Sequence, residues 1–243
     1  MFKTNVLNKC MKQAFKGMVM SRSEIQNAGN LTKDAQETHQ RLLDAAEELY
    51  AQKGLDATSI REITTKAESN LASVNYFFGN KQELYEELFR RRLREMRDIR
   101  LEGIRKAMAG RNKPTLEKLI RAYAEAFLEP FKDPKRSRCF MLLFTREIVE
   151  QRLPKNMILD EMATPVMNAF EEAIITLCPG LDKRDVQKSI NSIIGQLIHV
   201  MHVRTMFEGV QGTIAANDIE ETIEHIVKFS EAGIRAYAKG NQK

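Results

Sequence analysis

The chain of 243 residues is long enough to bury a sizeable core and to form one large domain or two modest ones. Apolar residues make up 43% and charged residues 29%, which excludes wholesale disorder, and the net charge of +5 permits an anionic partner without requiring one. No apolar run approaches the roughly 20 residues that span a bilayer, so no membrane partner is expected. The three cysteines form no CxxC pair, which reads as reduced thiols in a cytoplasmic chain.

Trp is absent, Gly and Pro are few, and good helix formers dominate, with no run of period-two alternation. The fold expected is all-α. Residues 1 to 34 lack an apolar period and read as a flexible arm, in which Arg22 and Lys33 are candidates for a basic contact with DNA. From Thr38 a helix carries Leu42, Leu43, Ala46, Leu49 and Tyr50 on one face and stops at Gly54. Thr58 and Ser59 are each a good N-cap for the next helix, and Glu62 three residues beyond Ser59 completes a capping box.

The stretch Thr58 to Lys81 then reads as a short helix, a tight turn and a second short helix. Ile60, Ile63 and Ala67 recur at helical spacing in the first, and Leu71, Val74 and Phe78 in the second, so each offers a narrow stripe to one shared core. Asn70 caps the second helix. Its other face holds Ser69, Asn70, Ser73, Asn75 and Tyr76, small or polar groups suited to a phosphate or a base edge. This is the pattern of a helix-turn-helix, whose second helix must enter a major groove unobstructed.

Lys81 opens a long helix to about Ala109, with Leu84, Leu88, Met96 and Ile99 on one side. Its arginines, Arg90 to Arg100, interleave with Glu86, Glu87, Glu95 and Asp98 and read as a solvated, ion-paired face in preference to a direct DNA contact. Pro114 suits the first position of a helix running to about Phe131, and a loop, KDPKRSR, follows. A buried helix, CFMLLFTREIVEQ, comes next; it is nearly apolar on all sides at its start and reads as central to the second domain. Pro154 opens a helix to Cys178, Asp182 opens another to about Glu208, and a last one runs from Asp218 to Ala238.

These final two helices carry more apolar surface than one core needs, through Ile190, Ile194, Leu197 and Met201 on one and Ile223, Ile226, Ile234 and Tyr237 on the other. A twofold homodimer packing them as a four-helix bundle would bury the excess, the alternative being that both are interior helices of a monomer. Phe144, Met162, Val166, Phe170, Gln196 and His199 mix apolar bulk with occasional polar groups and are candidates for a small-molecule effector pocket, or equally for core.

Residues 38 to 84 resemble the N-terminal domain of the TetR family of transcriptional regulators. The likeness is carried by the first helix ending in Gly54, the Thr58-Ser59-Ile60 start, the Ile63 and Ala67 spacing, and Tyr76-Phe77-Phe78 followed by Lys81, Glu83 and Leu84. The resemblance implies a three-helix DNA-reading head over residues 35–82 and an effector-binding, dimerising body over residues 83–243. It also implies phosphate contacts at Ser59 and Lys81 near helix N-termini, with groove and backbone contacts at Ser73, Asn75 and Tyr76. Glu68 and Ser69 depart from the family, which usually has Gly and an apolar residue at those turn positions.

The function expected is a ligand-responsive regulator, a repressor by preference, that binds a palindromic double-stranded DNA operator as a homodimer and is released by a small molecule. The contrasting classes are a helical protein-interaction adaptor and a metal-dependent enzyme. No phosphate-cradling glycine loop, paired cysteine ligands or nucleophile motif is visible, so no catalysis is expected. His199 and His202 lie i,i+3 and could share an ion with Glu147 or Cys139, but they read more simply as pocket or seam residues, and neither a metal nor a cofactor is expected.

Overall fold

The computed structural model describes residues 33–109, 113–206 and 219–240, and all regular structure among them is helical. The arm expected over residues 1–34 lies outside the described residues except for Lys33 and Asp34. The chain divides into two compact units between Leu88 and Phe89.

In the first unit, α1 spans Lys33–Ala57, α2 Ile60–Lys66 and α3 Leu71–Phe78, and α4, Lys81–Ala109, begins there and continues into the second. Helix α1 is already formed at Lys33, ahead of the expected Thr38, because Lys33 to Glu37 are tolerated in a helix. At Gly54 the backbone leaves helical geometry, with φ +82° and ψ 173°, a region open essentially to glycine alone. Thr58, 1% exposed, ties down this exit by donating its hydroxyl to the Gly54 carbonyl at 2.8 Å.

The core of this unit is Leu42, Leu43, Ala46, Tyr50, Ile63, Val74, Leu84 and Leu88 with Phe78. Tyr50 and Tyr85 meet edge to face at 5.3 Å, and His39 stacks on Phe78 at 4.7 Å. Leu71 departs from the expected core stripe and is 47% exposed. It is the first residue of α3, where no preceding turn covers the side chain.

The second unit holds the rest of α4, then α5 (Leu116–Leu128), a 3-10 turn (Glu129–Phe131), α6 (Pro134–Glu150), a π turn (Leu159–Ala163), α7 (Thr164–Leu177), α8 (Lys183–Met206) and α9 (Ile219–Gly240). Helix α5 is capped by Thr115, whose hydroxyl accepts the Lys118 N–H at 3.2 Å, so Pro114 precedes the cap instead of opening the helix. The expected loop KDPKRSR folds largely into α6, which starts at Pro134. Helices α5, α7, α8 and α9 share the core, with Tyr123 stacked on Phe170 at 4.2 Å among Leu119, Ile120, Ile190, Ile193, Leu197, Ile223 and Ile226.

Two readings of this unit are corrected by burial. Ile190, Leu197, Ile223, Ile226 and Ile234 are at most 2% exposed in the single chain and Met201 is 9% exposed, so they fill the chain's own core and are not a surface for a second copy. Ile194 packs partly buried against that core, and Tyr237 alone of the eight is exposed. Among the described residues the large apolar side chains that α8 and α9 turn outward are Ile198 and Phe229, with Tyr237. The arginine run of α4 is likewise not one solvated face, because Arg92 and Arg100 are buried.

Candidate nucleic-acid interface and effector body

Helix α2 begins at Ser59 with the capping box in place. The Ser59 hydroxyl accepts the Glu62 N–H at 3.2 Å, and the Glu62 carboxylate accepts the Ser59 N–H at 2.9 Å. Lys53 pairs with the same carboxylate, and these bonds, Lys53 first, hold the Glu62 carboxyl down to about 2. The hydroxyl of Ser59 also donates to Glu62, at 3.0 Å, so that side chain is already engaged in its own helix.

The turn into α3 closes through two bonds, Glu68 N–H to the Thr65 carbonyl at 3.2 Å and Ser69 N–H to the Thr64 carbonyl at 2.9 Å. That arrangement needs a left-handed residue just past the helix end, and Glu68 provides it at φ +49°. The glycine usual in the resemblance thus has a physical reason, and Glu68 occupies its conformation with a side chain that points to solvent.

Asn70 caps α3, its carboxamide oxygen accepting the Ser73 N–H at 2.9 Å and the Ser73 hydroxyl at 3.0 Å. Both side chains are therefore tied to each other. Asn75 and Tyr76 are exposed, Tyr76 at 75%, with its ring set edge-on to Phe77. Leu71 and Ala72 join them on the exposed side of a helix that carries no charged residue.

Lys81 has a role that spacing did not signal. Its ammonium donates to the carbonyls of Leu55 at 3.0 Å, Thr58 at 3.1 Å and Asp56 at 3.4 Å, and its own carbonyl accepts the Tyr50 hydroxyl at 3.3 Å. An ammonium has three N–H donors, so the side chain pins the exit of α1 to the start of α4. Arg61, exposed on α2 and absent from the sequence-derived candidates, is a cation on the same small unit. Its signal was a lone charge at an outward position of a short helix, which sequence alone does not distinguish from any solvated arginine.

The six candidate pocket residues take different places in the second unit. Val166 and Phe170 belong to the core, Phe144 packs on Phe140, and Gln196 donates to the Ser230 hydroxyl at 3.4 Å. His199 is exposed, and Met162 sits on the π turn against Arg100. A cleft of about 280 Å³ lies elsewhere in the second unit, between the Arg92, Met96 and Ile99 side of α4 and Pro130, Ser137 and Phe140. Among the described residues no three His, Cys, Asp or Glu side chains gather as metal ligands, and no helix is long and apolar enough to cross a membrane.

A capped helix, a left-handed turn and an uncharged, outward-facing second helix define a helix-turn-helix regulator with a separate helical body. Residues 42–88 match the family described as bacterial regulatory proteins, tetR family, and residues 121–233 match the tetracyclin repressor-like C-terminal domain. The chain belongs to the TetR family of transcriptional regulators, which are DNA-binding transcription factors and not enzymes.

A curated relative, described as a probable HTH-type transcriptional regulator, YttP of Bacillus subtilis (strain 168), is 39% identical over 51 residues, which is 21% of this chain and 25% of the relative. The match thus spans about a quarter of that relative's length. Among solved structures the fold is similar to a TetR-family regulator of Mesorhizobium loti (TM-score 0.62, 16% identity, 85% of this chain and 99% of that one). It is also similar to a TetR-like regulator of Rhodococcus sp. RHA1 (0.57, 16%, 82% and 96%) and to the fatty acid degradation regulator FadR of Bacillus halodurans (0.57, 17%, 79% and 93%).

Proposed function

We propose that this regulator is a cytoplasmic, homodimeric repressor whose two α3 helices enter successive major grooves of a palindromic operator, and whose body binds a small molecule that releases it. The observation that carries the reading is the outward face of α3: Leu71, Ala72, Asn75 and Tyr76, uncharged and solvent-facing beside a capped N-terminus. A carboxamide reads adenine through paired donor and acceptor, and small apolar groups contact the thymine methyl. Asn75 is assigned the base edge, Leu71 and Ala72 the methyl contact, and Tyr76 the flanking backbone.

Phosphate contacts fall to the first-turn N–H groups of α2 and α4, the helices capped by Ser59 and opened by Lys81, and to Arg61. Asn70 and Ser73 act by fixing the start of α3. Dimerisation is assigned to the exposed side of α8 and α9, through Ile198, Phe229 and Tyr237. A ligand that binds one arrangement of the dimer better than the other shifts DNA affinity by that difference and no more.

Selection of bound fragments from genomic DNA tests the reading. The expected product is a palindrome whose half-sites lie about one helical turn, ~10 base pairs, apart. Recovery of no common sequence would count against it.

A further inference from the structure

Among the described residues Arg100 is a buried cation with no carboxylate paired to it. It is 3% exposed, an Nη1–H donates to the sulfur of Met162 at 3.0 Å, and its Cζ stands 4.0 Å from the centre of the Phe127 ring. Its Nε is buried with no hydrogen-bond partner among the described residues. Other arginines of α4 meet carboxylates: Arg94 meets Glu161 at 3.0 Å, Arg97 meets Asp98 at 2.8 Å and Arg105 meets Glu102 at 2.6 Å. No described carboxylate does this for Arg100.

A thioether and an aromatic face are weak substitutes for the water this guanidinium has lost, and burial accordingly lowers its proton affinity. An unpaired buried charge is costly to keep, and an anion is the group that would relieve it. Met162 comes from the π turn, a helix irregularity of the kind found at functional sites. The surrounding side chains, Phe127 and Tyr123, are aromatic and suit an apolar ligand body.

We propose that Arg100 is the recognition group for the effector, an organic carboxylate whose anionic head replaces the Met162 thioether on the guanidinium and whose apolar part lies against Phe127. The inference rests on the reading of the second unit as the effector body. It assigns the ligand a charge: a carboxylate binds, and a neutral or cationic molecule of the same shape does not.

Calorimetry on the full chain tests it with benzoate, octanoate and dodecanoate against benzyl alcohol, octanol and dodecanol. At least one carboxylate should bind, its matching alcohol at least ~10-fold more weakly, since a hydrogen bond to a charged group is lost. Arg100→Met should cost the carboxylate the same factor while leaving the melting temperature unchanged or higher, because it removes a buried charge at similar volume. Arg100→Lys should retain part of the affinity.

Binding of no carboxylate, equal binding of the alcohols, or wild-type affinity in Arg100→Met overturns the proposal. The wild-type comparison decides even if Arg100→Met does not fold. Specific duplex binding released only by neutral or cationic compounds would sink this inference and leave the regulator standing. Carboxylate binding through Arg100 in a protein that ignores every duplex would do the reverse.

Discussion

Glu68 holds a left-handed conformation, φ +49°, that costs an ordinary residue about 1 kcal/mol or more. Glycine adopts it without steric penalty but gives the unfolded chain more freedom, which takes back part of the gain. Glu68→Gly is therefore expected to raise stability by ~0.5 kcal/mol, read as a higher melting temperature, and an equal or lower value would show that the glutamate conformation carries no strain. The departure from the family was legible in the sequence, but its consequence needed the backbone angle. Lys81 shows the same limit. A cation at a helix start reads as a phosphate ligand, and only the three carbonyls around its ammonium reveal a clamp within the head.

At the scale of elements, the capping box of α2 titrates. Glu62 has a folded pKa of about 2 against its ordinary 4.5, so its stabilising bonds are fully present above pH 4.5 and are lost as pH falls toward 2. Glu62→Gln should flatten the acid limb of an unfolding titration in that window, and an unchanged limb would remove the box from the account. The crossing of α4 and α5 makes a second case. A Cβ on Gly103 would lie 3.0 Å from both the Ala122 carbonyl oxygen and the Ala126 Cβ. Alanine gains ~1 kcal/mol of helix propensity there, but a backbone oxygen cannot rotate away and overpacking costs ~1–3 kcal/mol. Gly103→Ala is expected to lower stability by ~1 kcal/mol in denaturant unfolding. Helical periodicity and capping residues gave most of these elements, with Asn70 as one cap and Thr58 or Ser59 as the other, since caps and apolar stripes are local. They placed the start of α6 at Cys139 instead of Pro134 and missed the π turn, where charged residues and irregular bonding blur the local signal.

For the whole molecule, the all-helical class and the helix-turn-helix head were readable because their cues sit within a few residues of one another. The outward face of α8 and α9 was not. Periodicity finds an apolar face but does not say whether it meets its own chain or a second copy, and Ile190, Leu197 and Ile226 meet their own. A dimer through the exposed face predicts that Ile198→Glu with Phe229→Glu halves the mass seen by sedimentation, and an unchanged mass would move the interface elsewhere. Arg100 was hidden for a related reason, because charge patterning alone does not reveal which arginine of a long helix is buried.

The central claim is that α3 reads DNA in two copies, and base-resolved protection of a selected duplex tests it most directly. The account predicts two protected half-sites related by twofold symmetry, with Asn75→Ala changing the preferred base within each half and Arg61→Ala weakening all duplexes alike while lowering the salt slope by ~0.9. A single unsymmetric footprint, or protection and preference unmoved by Asn75→Ala, would contradict it.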